Sequence, residues 1–394
     1  MGIEAENVST IIAGEEIKFG KSIPVDSVQE IVRKDPENIP EIYLREMQGS
    51  VVPHLSLEIP VIDLSLLSEA DEGELSRLDI ACREWGFFQV INHGISPEVL
   101  QNLKSVVSKF FELPFEQKKK YSMATDDIQG YGQLYVVSEQ QKLDWADVFA
   151  LLIYPMKLRN MSYWPSELTS FAIVLESSLA ISSKVNTSLL APFTIGIQIS
   201  REAVEVYSME ANRVSKELIS AISKLMGMEK DELWRIHNEV MQAMRVNYYP
   251  TCCNPDKVVG VSPHSDSSTL TVLLQDDEVT GLQVRHHGGW VPVKPIPNAL
   301  VLNVGDALEV FSNGRYKSIE HRAMTNKSAP RISIASFICP QDNVELMPPD
   351  AGAHRRHRHK PKYKKIAYGE YLRSTMRRKL NGKSNIELIK LDEE

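Results

Sequence analysis

His264 and Asp266 stand two residues apart, His321 follows well downstream, and Arg331 and Ser333 close the same stretch. Two imidazoles and one carboxylate make a three-ligand set that leaves coordination positions open. Non-haem Fe(II) needs such positions for a co-substrate and for O₂. Side chains two apart on a strand point to one face. His264 and Asp266 can therefore reach one metal, and His321 must be brought alongside by a second strand. Arg331 and Ser333 share a strand face in the same way, and a guanidinium fork beside a hydroxyl suits a carboxylate. A lone His-x-Asp also occurs in surface turns and zinc sites. The distant histidine and the following Arg-x-Ser favour a metal beside an anion clamp.

The elements that must position these residues are strands. From Met244 onward short apolar runs alternate with turn signals at Asp276-Asp277, His287-Gly288-Gly289, Pro297-Asn298 and Asn313-Gly314, the pattern of a sandwich or jelly roll. Upstream the period is helical. Asp26-x-x-Gln29 reads as a capping box opening a helix to about Lys34. Glu58 to Leu64 reads as a strand. Glu74 to Trp85 is a helix closed by Gly86, and Ser96-Pro97 starts another that Leu113-Pro114 ends. Arg201 to Met226 is a long amphipathic helix, and Glu229 to His237 a short one. Tyr368 to Leu380 is a C-terminal helix. His93, in an Asn-His-Gly turn, reads as structural. The His286-His287 pair reads as a hairpin tip. The loop carrying Gly130, Tyr131, Gly132 and Tyr135 either approaches the site or only packs.

The chain has 394 residues, of which 43% are hydrophobic and 24% charged, as in an ordinary globular protein. The net charge of −8 gives no general attraction to nucleic acid or to an anionic membrane. Four cysteines (Cys82, Cys252, Cys253, Cys339) form no regular framework and point to a reducing compartment. No secretory leader, myristoylation signal or membrane-spanning run is read, so a cytoplasmic, monomeric protein is expected.

Several segments resemble the plant soluble 2-oxoglutarate- and Fe(II)-dependent dioxygenases, in the branch with the senescence-related dioxygenase, the norcoclaurine synthase-like enzymes and the codeine and thebaine O-demethylases. They are EWGFFQVINHG (84–94), KLDWADVF (142–149), MRVNYYP (244–250), PHSDSSTLTVLLQ (263–275), GLQV (281–284), WVPVKPIPNALVLNVGDALEVFSNG (290–314) and RISIASF (331–337). The resemblance implies an α+β fold, a double-stranded β-helix (jelly-roll) core with surrounding helices and a helical N-terminal region. It implies Fe(II) on His264, Asp266 and His321. It also implies 2-oxoglutarate held at its far carboxylate by Arg331, Ser333 and Tyr249, with Asn247 nearby either in contact or only a buried amide. Phe337 matches a substrate-stacking position, with a plain core phenylalanine as the competing reading. The implied reaction couples decarboxylation of 2-oxoglutarate to hydroxylation or O-demethylation of a small aromatic or alkaloid-like plant metabolite, with ascorbate as reductant. An oxidase of the same fold that does not use 2-oxoglutarate and a catalytically impaired binding protein are the rival readings.

Two segments depart from the likeness. Residues 172–200 are Ser/Thr-rich and aliphatic and read as an insertion, consistent with a retained intron. Residues 351–365 are a basic His/Arg run read as a solvated linker. The expected division is 1–171 N-terminal dioxygenase region, 172–200 insertion, 201–240 helical support, 241–345 catalytic core, and 346–394 linker and C-terminal helix.

Overall fold

The computed structural model describes residues 22–46, 57–165, 201–348 and 360–392. The expected insertion at 172–200, the N-terminal twenty residues and most of the 351–365 run lie outside the described residues.

Runs rich in Val, Leu and Ile form two main sheets, and Glu345–Leu346 pairs with Ile366–Ala367 in a small third one. The strands of the two main sheets are β1 (Val61–Asp63), β2 (Phe87–Ile91), β3 (Gly130–Gly132), β4 (Asp147–Tyr154), β5 (Met241–Tyr249), β6 (Val259–His264), β7 (Leu270–Gln275), β8 (Leu282–His286), β9 (Gly289–Pro292), β10 (Leu300–Val304), β11 (His321–Met324) and β12 (Arg331–Cys339). The larger sheet has eight strands in the order β1-β2-β10-β7-β12-β5-β4-β3, and the smaller has four in the order β6-β11-β8-β9. Consecutive strands β6 and β7 therefore belong to opposite sheets, and the segment between them crosses the gap. This is the jelly roll expected from the resemblance, and the fold class is α+β.

Strand alternation sorts the larger sheet's side chains onto two faces. Leu270, Val272, Leu274, Leu302, Ile334 and Ile338 join the main core with the helices. The intervening Leu273 and Val301 pack with Leu282, Val284 and Val291 of the smaller sheet. The helices are α1 (Val28–Lys34), α2 (Leu64–Ser68), α3 (Glu72–Ile80), α4 (Pro97–Glu112), α5 (Phe115–Lys118), α6 (Arg201–Leu225), α7 (Glu232–Ile236), α8 (Asp306–Phe311), α9 (Tyr368–Met376) and α10 (Ser384–Glu387). On α6, Val214, Leu218 and Ile222 are fully buried at helical spacing. Truncating Leu218 to Ala would cost about 2–5 kcal/mol.

Several expected boundaries stand and some move. Ser96 caps α4 with Pro97 in the first turn, and Gly86 takes a left-handed φ of 61° behind the turn Ala81–Trp85. The cap of α1 is Ser27, not Asp26, because Ser27 Oγ is the side-chain atom that accepts from Glu30 N. The strand expected over Glu58 to Leu64 is only β1, since Asp63 already caps α2. Asp306–Phe311 was expected within the strand region and is helical, so Asn313-Gly314 ends a helix instead of joining strands. The C-terminal helix stops at Met376 rather than Leu380. Tyr131 belongs to the core, with its hydroxyl on Ser27 and Asp147.

Candidate active site

His264 ends β6 and His321 begins β11, and the two are register partners in the smaller sheet. Asp266 lies on the crossing segment, buried between the sheets. The three converge: one ligand atom from each lies within 4.8 Å of the others. Asp266 Oδ1 is 3.5 Å from His264 Nε2 and 3.7 Å from His321 Nε2.

Outer partners fix which atoms are free. His264 Nδ1 lies 2.8 Å from the Ser262 carbonyl and His321 Nδ1 3.1 Å from the Ile319 carbonyl. A carbonyl only accepts, so each Nδ1 carries the proton and each Nε2 keeps its lone pair for a metal. Asp266 Oδ2 accepts from Thr271 Oγ1 and Asn303 Nδ2, both at 2.7 Å, which leaves Oδ1 toward the imidazoles. Thr271 and Asn303 are neighbours because β7 and β10 pair in that register. Burial alone would raise the Asp266 carboxyl pKa, but His321, His264 and the Thr271 hydrogen bond outweigh it and hold the group well below the usual carboxylate range. Burial, with the like-charged His264 beside it, pushes His321 down to about 4, so the ring is neutral and able to ligate at neutral pH.

The residues of the expected anion clamp form one row on the larger sheet. Arg331 pairs with Tyr249 and Ser333 with Asn247 across β12 and β5. The Arg331 guanidinium lies 5.2 Å from the Tyr249 ring centre, and Tyr249 Oη is 3.3 Å from Ser333 Oγ. Arg331 is 2% exposed, and its Nε has no partner. Asn247 Oδ1 is likewise buried and unpartnered. Gly281 makes room here: a Cβ on it would sit 2.8 Å from Arg331 Cδ. A buried guanidinium with a vacant donor, beside two hydroxyls, fits the far carboxylate of 2-oxoglutarate. The free Nε2 and Oδ1 atoms fit a divalent iron. One cavity is lined by all eight residues singled out in the sequence: His264, Asp266, His321, Arg331, Ser333, Tyr249, Asn247 and Phe337.

A second cavity of about 100 Å³ opens beside His264 and Asp266. Leu134, Met241, Met244, Phe337, Leu372 and Met376 give it an apolar wall. Phe337 lines both cavities, and Tyr135, in a left-handed conformation with φ 64°, lines the second. Arg245 also lines both. Its guanidinium stands 5.7 Å from the Tyr135 ring centre, and its Nε is buried without a partner. The sequence reading missed Arg245, Thr271 and Asn303. The two-residue strand spacing from Asn247 was the available signal for Arg245, and nothing local marked the other two. His93 is buried, with Nε2 2.8 Å from the Asn298 carbonyl, and takes no part in the site. His287 stands exposed at its hairpin tip.

The chain matches the 2OG-Fe(II) oxygenase superfamily over residues 240–340 and the N-terminal family of non-haem dioxygenases in morphine synthesis over residues 59–167. It is 41% identical to lateral branching oxidoreductase 1 of Arabidopsis thaliana, over 95% of this chain and 97% of that protein. It is 36% identical to oxoglutarate-dependent flavonoid 7-O-demethylase 1 of Ocimum basilicum, over 99% and 97%. Codeine O-demethylase of Papaver somniferum is 35% identical, over 95% and 98%. Among solved structures, JOX2 in complex with 2OG, Fe and JA superposes with a TM-score of 0.78 at 31% identity, covering 95% of this chain and all of that one (100%). With this extent of likeness, and with a site whose free donors suit iron and a dicarboxylate, the chain belongs to the 2OG-Fe(II) oxygenase superfamily and is a 2-oxoglutarate-dependent dioxygenase.

Proposed function

We propose that His264, Asp266 and His321 hold Fe(II), that Arg331, Ser333 and Tyr249 grip the far carboxylate of 2-oxoglutarate with Asn247 alongside, and that Phe337 contacts the substrate. The observation that carries this reading is the convergence of free Nε2, Nε2 and Oδ1 atoms in one cavity with the unpartnered Arg331 Nε. When bound, iron and 2-oxoglutarate supply the oxidation of a C–H bond by O₂, with succinate and CO₂ released. The chain's own work is positional. Thr271 and Asn303 fix Asp266, the Ser262 and Ile319 carbonyls fix the imidazoles, and the apolar wall keeps water from the reacting centre.

The substrate is a small, largely apolar plant metabolite that is hydroxylated or O-demethylated. Relatives named for flavonoid and codeine demethylation support this class. Arg245 refines it. It is the only Lys or Arg among the chamber's lining residues and makes no ion pair among the described residues, so a substrate carboxylate or phenolate is its natural partner. Ascorbate serves as the reductant that keeps the iron ferrous. Four free thiols support a cytoplasmic, reducing setting. Among the described residues no helix is long and apolar enough to cross a membrane. A monomer is proposed.

The test is substrate-dependent succinate formation by the purified protein with Fe(II), 2-oxoglutarate and ascorbate, over paired acidic and neutral alkaloids, flavonoids and indoles. One succinate per oxidised product, with Arg245→Gln weakening only the acidic members, supports the reading. Product formed without 2-oxoglutarate would reject it in favour of an oxidase of the same fold.

A further inference from the structure

The segment carrying two of the three proposed ligands is held from both sides by acids to which the reaction gives no role. Upstream, Asp144 Oδ2 accepts from Ser262 N at 3.0 Å, and its Oδ1 accepts from Ser262 Oγ at 2.5 Å and from Arg45 Nη2 at 2.8 Å. Arg45 Nη1 donates to Ser262 Oγ at 2.6 Å. Ser262 is the residue whose carbonyl orients the His264 ring. Downstream, the backbone N–H of Asp306 donates to the Asp266 carbonyl at 2.7 Å. Its Oδ2 accepts from Ser265 Oγ at 3.2 Å and from Tyr371 Oη at 2.7 Å. Gly305 lets these backbones meet, since a Cβ there would fall 2.0 Å from the Ser268 carbonyl oxygen. Ser262 and Ser265 thus flank His264, each tied to a carboxylate from elsewhere.

These ties reach to opposite ends of the chain. Arg45 belongs to the N-terminal segment, and Tyr371 to α9, whose Leu372 and Met376 wall the apolar chamber. We infer that Asp144 and Asp306 are positioning residues that couple the docking of the N-terminal segment and of α9 to the geometry of His264 and Asp266. The inference rests on the proposed metal role of those two residues. Removing the Tyr371 hydroxyl then loosens the metal site through Asp306, although Tyr371 touches no ligand side chain.

A matched control exists. Tyr363 Oη donates at 2.8 Å to Glu309, which lies one turn further along α8, and this contact fastens the same C-terminal segment without touching the metal loop. The experiment titrates metal-free protein with Mn(II) alone, following free Mn(II) by electron paramagnetic resonance, beside thermal melting of the same samples. Tyr371→Phe and Asp144→Asn are expected to weaken Mn(II) binding about 10-fold, in the range that outer partners of metal ligands command. Tyr363→Phe is expected to lower the melting temperature comparably and to leave Mn(II) affinity within about twofold of wild type. Mn(II) affinity within about twofold for both Tyr371→Phe and Asp144→Asn overturns the inference. Equal weakening by Tyr363→Phe also overturns it, because the effect would then be general docking. If Asp144→Asn does not fold, Arg45→Met tests the upstream tie on the same terms. Wild-type protein that binds no Mn(II), or His264→Ala protein that binds it unchanged, would instead sink the metal reading itself.

Discussion

His264 and His321 face each other across the β6–β11 ladder, ring centres 4.2 Å apart, each with its Nδ1 held by the carbonyl two residues before it. Two Nε2 atoms are thereby aimed at one point before any metal arrives. Such preorganisation predicts a site that loses and regains its metal without refolding. EDTA is expected to abolish 2-oxoglutarate decarboxylation, and Fe(II) with ascorbate to restore it. Asp266→Ala is expected to cost more than the roughly 10–100-fold that outer partners of metal ligands command. Activity indifferent to chelator, measured as succinate release, would count against the site.

Thr271 and Asn303 both donate to the oxygen of Asp266 that faces away from the imidazoles. Without either donor the carboxylate can rotate and present the wrong oxygen. Thr271→Val and Asn303→Ala are each expected to raise the Fe(II) concentration for half-maximal activity about 10-fold. Circular dichroism should stay unchanged, and a flat Fe(II) titration would reject the assignment.

Arg331 offers a planar fork over Tyr249, and lysine offers only a point charge. Arg331→Lys is therefore expected to rescue little of what Arg331→Ala loses. A charge-assisted contact of about 2–4 kcal/mol corresponds to a rise of about 30- to 1000-fold in the 2-oxoglutarate requirement. Steady-state kinetics at varied 2-oxoglutarate measure this directly.

His237 supplies a pH prediction away from the iron. It is fully buried between the Leu233 carbonyl and the Thr269 hydroxyl, each 2.8 Å from a ring nitrogen, and burial pushes it down to about 4. The unfolded chain takes up this proton near pH 6.5, before the folded protein does. The contribution is therefore complete above pH 6.5 and declines as the pH falls toward 4. By pH 5 the loss is about 2 kcal/mol. Guanidinium unfolding of wild type and His237→Gln at pH 7.5 and pH 5 is expected to show the wild-type advantage shrinking by that amount.

The fold was legible where local chemistry is decisive. Ser96-Pro97, Gly86 and the stripe on α6 end or orient helices within a turn, so sequence spacing suffices. Asp306–Phe311 was misread because a short apolar run fits either period, and its tertiary setting, where the first N–H groups donate to the carbonyls of Asp266 and Ser268, is not visible locally. Tyr131 and Tyr135 show the same limit: four residues apart in the chain, one enters the core and the other the chamber.

The sequence by itself supplied the chemistry: the types of His264, Asp266, His321, Arg331 and Ser333, and the two-residue spacings that put neighbours on one strand face. Tertiary structure alone decided that His321 is the residue opposite His264, that Thr271 and Asn303 meet at Asp266, and that Arg245 faces the chamber. It also decided that Arg45 and Tyr371 reach the ligand segment. The physical reason is range. Side-chain alternation acts between near neighbours, whereas strand register and the crossing between two sheets depend on the packing of the whole core.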